Sequence, residues 1–260
     1  MTESASQRPV AIITGAGSGI GAATSKLLAS RGYTVVLVGR RRGLLEEVQR
    51  DVMNNGDVAS VIDIDLVSEG AAEKIVSEVI DSFGRLDVLV NNAAFIQTGV
   101  LDDVTPELID AHYDINVRAP LLLTRASLEH LRQSPDASIV NVGSSLGSMV
   151  MPGTMLYGST KASLEYLTRA WAYQLAADKI RVNCVAPGVI DTPIHATYSD
   201  DLEATYADLA RRVPMGRMGT PEEVAEWIWI VISPSTSWST GNVIHVDGGH
   251  VLGIPESAGG

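Results

Sequence analysis

Thr14-Gly15-Ala16-Gly17-Ser18-Gly19-Ile20-Gly21 is a glycine-rich stretch that lies between an apolar run and a helical pattern. Val10-Ala11-Ile12-Ile13 precedes it, a helical pattern runs from about Gly19 to Arg31, and residues 33–38 are again apolar. This order predicts a strand, a helix and a second strand.

Glycines at the first turn allow a sharp bend and let a pyrophosphate approach the N–H groups at the helix start. A turn without a ligand is the alternative, but the position directly after the first strand favours phosphate binding. The expected phosphate contacts are Gly15, Ser18, Gly19, Ile20 and Gly21.

The alternation of apolar runs and helical patterns continues along the chain. Further strands are predicted at about 59–64, 86–90, 138–142, 180–185 and 243–246. Runs such as Val88-Leu89-Val90 are apolar without alternation, which is typical of a sheet buried on both faces. We therefore predict an α/β fold, a doubly wound seven-stranded parallel sheet with helices on both faces, as one domain over residues 1–260. Residues 190–216 are predicted to form an excursion over the carboxyl edge of the sheet, where such folds bind ligands.

The composition excludes several classes of function. Nineteen basic and 31 acidic residues give a formal net charge of −12, which repels nucleic-acid phosphates and anionic lipids. No stretch approaches the length of a membrane span. We therefore expect a cytoplasmic protein with neither a nucleic-acid nor a membrane partner. The single cysteine, Cys184, lies in an apolar run that favours a packed thiol, and the five histidines show no metal-ligand spacing. We expect no metal.

The strongest local signal for chemistry is Tyr157-Gly158-Ser159-Thr160-Lys161, with Ser144 thirteen residues before the tyrosine. Positions i and i+4 of a helix share a face, so the Lys161 ammonium is expected to reach the cavity that holds the Tyr157 phenol. An ordinary phenol has a pKa of about 10 and is a poor base near neutrality, whereas a nearby fixed cation favours phenolate. Tyr157 would then give a proton to a carbonyl oxygen or take one from an alcohol. For this pentapeptide alone, an exposed helix pair without a function is the alternative.

The glycine spacing Gly-x-x-x-Gly-x-Gly, together with the tyrosine and lysine, resembles the short-chain dehydrogenase/reductase family. The resemblance covers nearly the whole chain. It points to the short, single-domain branch that includes 3-oxoacyl-carrier-protein reductase-like enzymes and related alcohol and ketone oxidoreductases. It implies a Rossmann fold, a nicotinamide cofactor and hydride transfer between that cofactor and a carbonyl or secondary alcohol, with Tyr157 as general acid/base.

The resemblance also implies roles for the residues around the tyrosine. Ser144 would hold the substrate oxygen against Tyr157, and Lys161 would also bind the nicotinamide ribose. Asn116, in Tyr113-Asp114-Ile115-Asn116-Val117, matches the family asparagine that supports a water path from the lysine to solvent. Ser145 is the immediate neighbour of Ser144, and only the spacing favours Ser144.

Further positions match cofactor contacts of the family. They are Asp65, Leu66, Asn91, Ala93, Pro187, Gly188, Ile190 and Thr192. Ala94 departs from the family's usual glycine, which narrows backbone freedom at one turn, and we expect the change to be tolerated.

The end of the second strand bears on the choice between NAD and NADP. A carboxylate there accepts hydrogen bonds from a free 2′-hydroxyl, whereas arginine binds a 2′-phosphate. Gly39 stands where NAD-preferring relatives resemble one another in carrying aspartate, and Arg40 and Arg41 follow. This pattern favours NADP(H), with NAD(H) as the alternative. A solvated cluster of arginines with no ligand is the bland interpretation.

Substrate and assembly are less well specified. The candidate pocket residues are Leu146, Met149, Met151, Met155, Ile194 and His195. This mostly apolar set favours a bulky or lipophilic carbonyl compound. The resemblance implies a homotetramer formed through the helix at 157–177 and the region 243–251. Two other functions remain open: an NAD-dependent alcohol dehydrogenase using the same site, and a non-catalytic dinucleotide-binding sensor or scaffold. The latter would be expected to lose Tyr157, Lys161 or Ser144, and all three are present.

Overall fold

The computed structural model describes residues 8–194, 201–253 and 255, and its centre is a parallel β-sheet. The sheet has seven strands in the order β3-β2-β1-β4-β5-β6-β7. The strands are β1 Val10–Thr14, β2 Thr34–Gly39, β3 Val58–Asp63, β4 Val88–Asn91, β5 Ser138–Val142, β6 Arg181–Pro187 and β7 Val243–Val246. The prediction of a seven-stranded parallel sheet is confirmed.

Helices connect the strands. They are α1 Gly19–Ser30, α2 Arg42–Asn54, α3 Ala71–Phe83, α4 Pro106–Tyr113, α5 Ala119–Leu131, α6 Met155–Leu175, α7 Leu202–Arg212 and α8 Pro221–Ile232. A π-helical turn, Asp114–Arg118, joins α4 to α5. Short 3-10 turns at Ser145–Gly147 and His250–Leu252 both lie beside the candidate site.

Helices cover both faces of the sheet. Neighbouring residues of a strand point to opposite faces, so each strand contributes to a core on either side. Ile12 packs into one core cluster and Ile13 into the other. Helices α3, α5 and α6 supply the first cluster with Ile75, Leu123 and Leu164. Helices α1, α2 and α8 supply the second with Leu28, Leu45 and Ile228. The doubly wound arrangement therefore follows from strands that are apolar on both sides.

Several element boundaries differ from the sequence prediction. The fourth strand begins at Val88 rather than at residue 86, because the Asp87 carboxylate accepts a hydrogen bond from the Val10 N–H at 2.8 Å. The sixth strand continues to Pro187, which pairs with Val246 at the edge of the sheet. Helix α6 ends at Leu175 rather than at residue 177, since its last turn tightens into a 3-10 turn.

The topology places a crevice beside the glycine-rich turn. Strand β1 has β2 on one side and β4 on the other, so the direction in which the chain winds reverses between β1 and β4. In open α/β sheets, ligands bind outside the carboxyl ends of the strands at such a switch point. The turn from Thr14 to Gly19 leaves β1 at this edge.

Candidate active site

The glycine-rich turn forms one wall of the crevice. Gly15 has φ of +65°, and a Cβ at Gly21 would overlap the carbonyl oxygen of Gly15, so both positions require glycine. Helix α1 begins at Gly19, and the Ser18 hydroxyl does not cap it but accepts a hydrogen bond from Arg41 at 3.2 Å. The positive end of α1 therefore fits an anionic group such as a pyrophosphate.

The end of β4 forms the neighbouring wall. The Thr14 hydroxyl accepts hydrogen bonds from the N–H groups of Asn92 and Ala93 at 2.9 and 3.0 Å, which fixes β4 against β1. Thr14, Leu66, Asn91 and Ala93 line one narrow cleft, so three of the predicted cofactor positions do come together. The Asn91 amide is committed elsewhere, since it donates to the side chain of Asn141 at 2.9 Å. The Asn91 amide nitrogen is therefore held by neighbouring core residues.

The segment after β6 closes over the glycine-rich turn. A Cβ at Gly19 would lie 2.9 Å from the Thr192 methyl group, so Thr192 sits directly against the start of α1. Gly188 packs closely against the backbone of Asp247, with no room for a side chain. The Ile190 side chain is buried in the core. Of these predicted cofactor positions, Thr192 therefore reaches the glycine-rich turn and Ile190 supports the loop from beneath.

The arginines after β2 occupy distinct environments. Arg40 is 68% exposed, and its guanidinium lies 3.8 Å from the Asp65 carboxylate, a distance at which an exposed pair binds weakly. Arg41 crosses to Ser18 at the glycine-rich turn. Arg42 is engaged by two carboxylates at 2.7 and 2.8 Å. Arg41 therefore presents positive charge at the start of α1, Arg40 extends into solvent beside Asp65, and Arg42 is paired with two carboxylates of the protein.

Tyr157 and Lys161 are both buried on one face of α6. The Lys161 ammonium lies 5.5 Å from the centroid of the Tyr157 ring and donates a hydrogen bond to the Val142 carbonyl at 2.8 Å. Burial lowers the pKa of Lys161 to about 8. The carbonyl at the end of β5 thus holds an ammonium group next to the phenol, as the i, i+4 spacing predicts.

The two neighbouring serines after β5 do different things. Ser144 caps the 3-10 turn Ser145–Gly147, and its hydroxyl accepts a hydrogen bond from the Leu146 N–H at 3.2 Å, which leaves its own hydrogen available. The Ser145 hydroxyl is hydrogen-bonded to His250 Nδ1 at 3.1 Å, and both residues are buried. The geometry therefore leaves Ser144, rather than Ser145, with donor capacity for a substrate.

Asn116 links the loop after β4 to the helix that carries the tyrosine. Its side chain accepts from the Phe95 N–H at 2.8 Å and donates to the Phe95 carbonyl at 2.9 Å and to the Thr160 hydroxyl at 3.0 Å. It lies in the π-helical turn between α4 and α5, and such turns often occur at functional sites. With its amide fully engaged, Asn116 holds Thr160, the neighbour of Lys161, in place.

Sequence reasoning missed three residues that shape the site: Thr14, Glu165 and His250. Glu165 is buried one helical turn beyond Lys161, and the same i, i+4 spacing that identified Lys161 would have found it. His250 contacts Ser145 across more than a hundred residues of sequence, so no local pattern signals it.

The candidate substrate residues differ in burial. Leu146, Met149, Met151 and Ile194 are partly buried and Met155 is exposed, while His195 lies outside the described residues. The loop after β4 is tied to the segment before α6 by a bridge between Gly99 and Thr154. Ala94, the departure from the family pattern, has no positive φ and so does not need glycine.

Two general expectations concern metals and membranes. Across residues 8–194, 201–253 and 255, no group of three or more His, Cys, Asp or Glu side chains is placed to hold a metal ion. None of the helices in these ranges has the length and apolar character needed to span a bilayer.

Cys184 is buried, and burial raises the pKa of its thiol to about 12, which confirms the prediction of a packed thiol.

Comparisons with known proteins agree with this geometry. A family model described as enoyl-(acyl carrier protein) reductase matches residues 15–250. The cis-4-hydroxycyclohexanecarboxylate dehydrogenase of Sinomonas cyclohexanicum is 38% identical, over 93% of this chain and 96% of that protein. The NADPH complex of a variant of the actinorhodin polyketide ketoreductase superposes with a TM-score of 0.90 at 29% identity, over 96% of this chain and 99% of that one. The NADH complex of the 3-ketoacyl-(acyl-carrier-protein) reductase from Brucella melitensis gives 0.87 at 32% identity, over 94% and 98%.

Proposed function

The chain belongs to the short-chain dehydrogenase/reductase family and is therefore a nicotinamide-dependent oxidoreductase of carbonyl or CH–OH groups, and within that class we propose that it is an NADP(H)-dependent ketone reductase whose proton is transferred by Tyr157. A nicotinamide cofactor, when bound, supplies or accepts the hydride.

One observation carries the proposal: a buried ammonium, that of Lys161, lies 5.5 Å from the centre of the Tyr157 ring. A cation at this position favours the phenolate form of the tyrosine. Tyr157 is then able to donate its proton to a carbonyl oxygen and to regain one afterwards. The Val142 carbonyl fixes the Lys161 ammonium by a hydrogen bond, so the cation does not need to be reoriented during the reaction.

Ser144 orients the substrate in this mechanism. Its hydroxyl accepts from Leu146, so its hydrogen is free to point to the substrate oxygen. Asn116 donates hydrogen bonds both to Thr160 on α6 and to Phe95 in the loop after β4. These bonds fix α6 against that loop. A scaffold or sensor without activity would need neither this donor nor the buried cation beside Tyr157.

NADP(H) is the proposed cofactor because of the charge beside the glycine-rich turn. Gly39 leaves no carboxylate at the end of β2, and the Arg40 side chain is mostly exposed. Arg41 reaches Ser18 at the start of α1. A 2′-phosphate would therefore meet two guanidinium groups, whereas a free 2′-hydroxyl would find no carboxylate at Gly39. The complexes of the similar reductases contain NADPH in one case and NADH in the other, so this chain's own residues are the basis of the choice.

The proposed substrate is a largely apolar carbonyl compound. Leu146, Met149 and Met151 follow Ser144 in the chain with partly buried apolar side chains, and methionine adapts to irregular shapes. The similar proteins include two reductases and a dehydrogenase of a cyclic hydroxy acid, so the oxidative direction is tested alongside reduction.

We also propose a homotetramer, on the basis of exposed aromatic side chains. Tyr166 and Tyr173 project from α6 with 70% and 88% of their surface exposed, and Trp238, before β7, is fully exposed. Tyr166 and Tyr173 are seven residues apart on α6 and so share one helix face, and adjoining exposed apolar groups mark contact surfaces. Light scattering at micromolar concentration is expected to give four chains per particle, and a monomer would contradict the proposal.

The function is tested by following nicotinamide absorbance with a panel of cyclic and linear ketones and the matching alcohols, with both cofactors. Reduction of apolar ketones with NADPH is expected to be the fastest reaction. Turnover with NADH alone would overturn the cofactor assignment. Absence of turnover by the wild type in either direction, across the panel, would contradict the proposed enzyme.

A further inference from the structure

Glu165 is a buried carboxylate in the same helix as the tyrosine and lysine. It is 5% exposed and lies four residues after Lys161, so both side chains project from one buried face of α6. Charged side chains are rarely buried without a partner or a function. The proton-transfer mechanism described above does not use this one.

The carboxylate of Glu165 ties the turn that carries Ser144 to α6. We call residues 144–148 the Ser144 turn, which comprises the 3-10 turn with one residue on either side. At its end, the Ser148 hydroxyl donates a hydrogen bond to Glu165 Oε2 at 3.2 Å. A Cβ at Gly147 would overlap Glu165 Oε1, so the turn is packed directly on the carboxylate. A Cβ at Gly158 would lie 2.7 Å from the Leu146 carbonyl, so turn and helix also meet beside Tyr157.

The surroundings of Glu165 leave its charge poorly compensated. Oε1 is buried without a hydrogen-bond partner among the described residues. The ionisable groups that face the carboxylate are Lys161 and Arg169 from α6 and His245 from β7. Burial raises the pKa of Glu165, while Lys161, Arg169, His245 and the Ser148 hydrogen bond act in the opposite direction. Cys184, on β6, faces Lys161 as a neutral thiol because burial raises its pKa.

Glu165 therefore places a carboxylate on the same buried face of α6 as the Lys161 ammonium, without a direct ion pair among the described residues. We propose that Glu165 is a positioning residue of the proton-transfer site: it anchors the Ser144 turn on α6, and its negative charge keeps Lys161 in the ammonium form. The proposal rests on the proposed function of Tyr157 and Lys161. In this role Glu165 affects how tightly Tyr157 and Lys161 hold their protons, and it contacts neither substrate nor cofactor.

The sign of the effect follows from electrostatics. A nearby negative charge makes it harder to remove a proton from any neighbouring group, so Glu165 raises the pH at which the Tyr157 and Lys161 pair loses its first proton. Replacing Glu165 by glutamine removes the charge and keeps the shape, and the oxygen of the glutamine still accepts from Ser148. The apparent pKa of the pair should then fall, whichever of its two members releases the proton.

The experiment measures the pH profile of kcat/KM for alcohol oxidation in wild type, Glu165→Gln, Ser148→Ala and Glu129→Gln. Glu129 is an exposed carboxylate on α5 and serves as the matched control for loss of one negative charge. In Glu165→Gln the apparent pKa of the rising limb is expected to fall by about one unit, the order expected for a single charge at this spacing. Ser148→Ala should shift it in the same direction by less, because it removes the hydrogen bond that favours the ionised carboxylate. Glu129→Gln should leave the profile unchanged.

The outcomes separate this inference from the proposed function. A Glu165→Gln profile that superimposes on that of the wild type, in an enzyme that Tyr157→Phe inactivates, overturns the role of Glu165 and leaves the proposed function intact. A wild type without turnover overturns both. If Glu165→Gln does not fold, Ser148→Ala decides: a downward shift supports the proposal, and an unchanged profile contradicts it.

Discussion

Ser145 and His250 are joined by a buried hydrogen bond of 3.1 Å between Oγ and Nδ1, which attaches the residue next to Ser144 to the 3-10 turn that follows β7. Burial lowers the pKa of His250, which favours the neutral form of the imidazole. The bond ties the Ser144 turn to the segment after β7, as the Ser148–Glu165 bond ties it to α6. The two adjacent serines thus differ: the Ser145 hydroxyl is engaged by His250, whereas Ser144 keeps its hydroxyl hydrogen for the substrate contact that we propose.

The different roles of the serines predict opposite phenotypes. Ser144→Ala should lower kcat/KM by about 100-fold, since the substrate oxygen loses its positioning contact. It should change the free energy of unfolding by no more than about 1 kcal/mol, the usual value of a lost cap. Ser145→Ala should cost about 1–3 kcal/mol of stability, because it leaves a buried imidazole nitrogen without a partner. Urea unfolding and steady-state kinetics on both variants check this, and a larger loss of kcat/KM in Ser145→Ala would reverse the assignment.

Cofactor preference should depend on Arg40. A guanidinium hydrogen-bonded to a phosphate contributes about 1.5–3 kcal/mol, so Arg40→Ala should lower the ratio of kcat/KM for NADPH over NADH by about 10- to 100-fold. The matched control is Arg50→Ala, which removes an exposed arginine from the same side of the sheet near the end of α2. An unchanged ratio in Arg40→Ala would remove this residue from the cofactor site.

The burial of Lys161 predicts a pH-dependent stability difference. Its pKa is about 8 in the folded protein against an ordinary 10.5, so the unfolded chain holds the proton more tightly. Below pH 8 both states are protonated, and the folded state carries the full cost of burying an ammonium group. Between pH 8 and 10.5 the folded state releases its proton first, so the contribution of Lys161 to stability increases with pH.

A comparison with Lys161→Met isolates this effect. The methionine variant should have the larger free energy of unfolding at pH 7. The difference from wild type should shrink by up to about 3 kcal/mol by pH 10.5. Urea unfolding of both proteins at equal concentration, at several pH values, gives the difference. Parallel pH dependences for the two proteins would mean that Lys161 is not protonated differently in the folded state.

The sequence predicts the fold well because both the strands and the glycine-rich turn are local patterns. All seven strands are recovered to within two residues at each end, and the largest differences are at the start of β4, where Asp87 intervenes, and at the end of β6. Lys161 was found because i, i+4 spacing is visible in sequence.

The contacts that the sequence does not predict are long-range ones. The Asn91 side-chain amide donates a hydrogen bond to Asn141 in the next strand. The Ser145 hydroxyl is hydrogen-bonded to His250, near the other end of the chain. No spacing rule connects such pairs, because the topology alone brings them together. Ile190 stays a predicted cofactor contact: its side chain lies in the core, so its backbone is the part that would meet a ligand.

In the proposed mechanism Tyr157 transfers the proton, and its role goes beyond a contribution to cofactor binding. The most direct test is Tyr157→Phe, with both kcat and the dissociation constant of NADPH measured, against Tyr166→Phe, which removes a hydroxyl from the same helix and keeps the aromatic ring that the proposed subunit contact would use. We predict that Tyr157→Phe lowers kcat by at least about 100-fold while NADPH binds within about threefold of wild type, and that Tyr166→Phe behaves as wild type. A Tyr157→Phe enzyme that turned over at the wild-type rate would contradict the account.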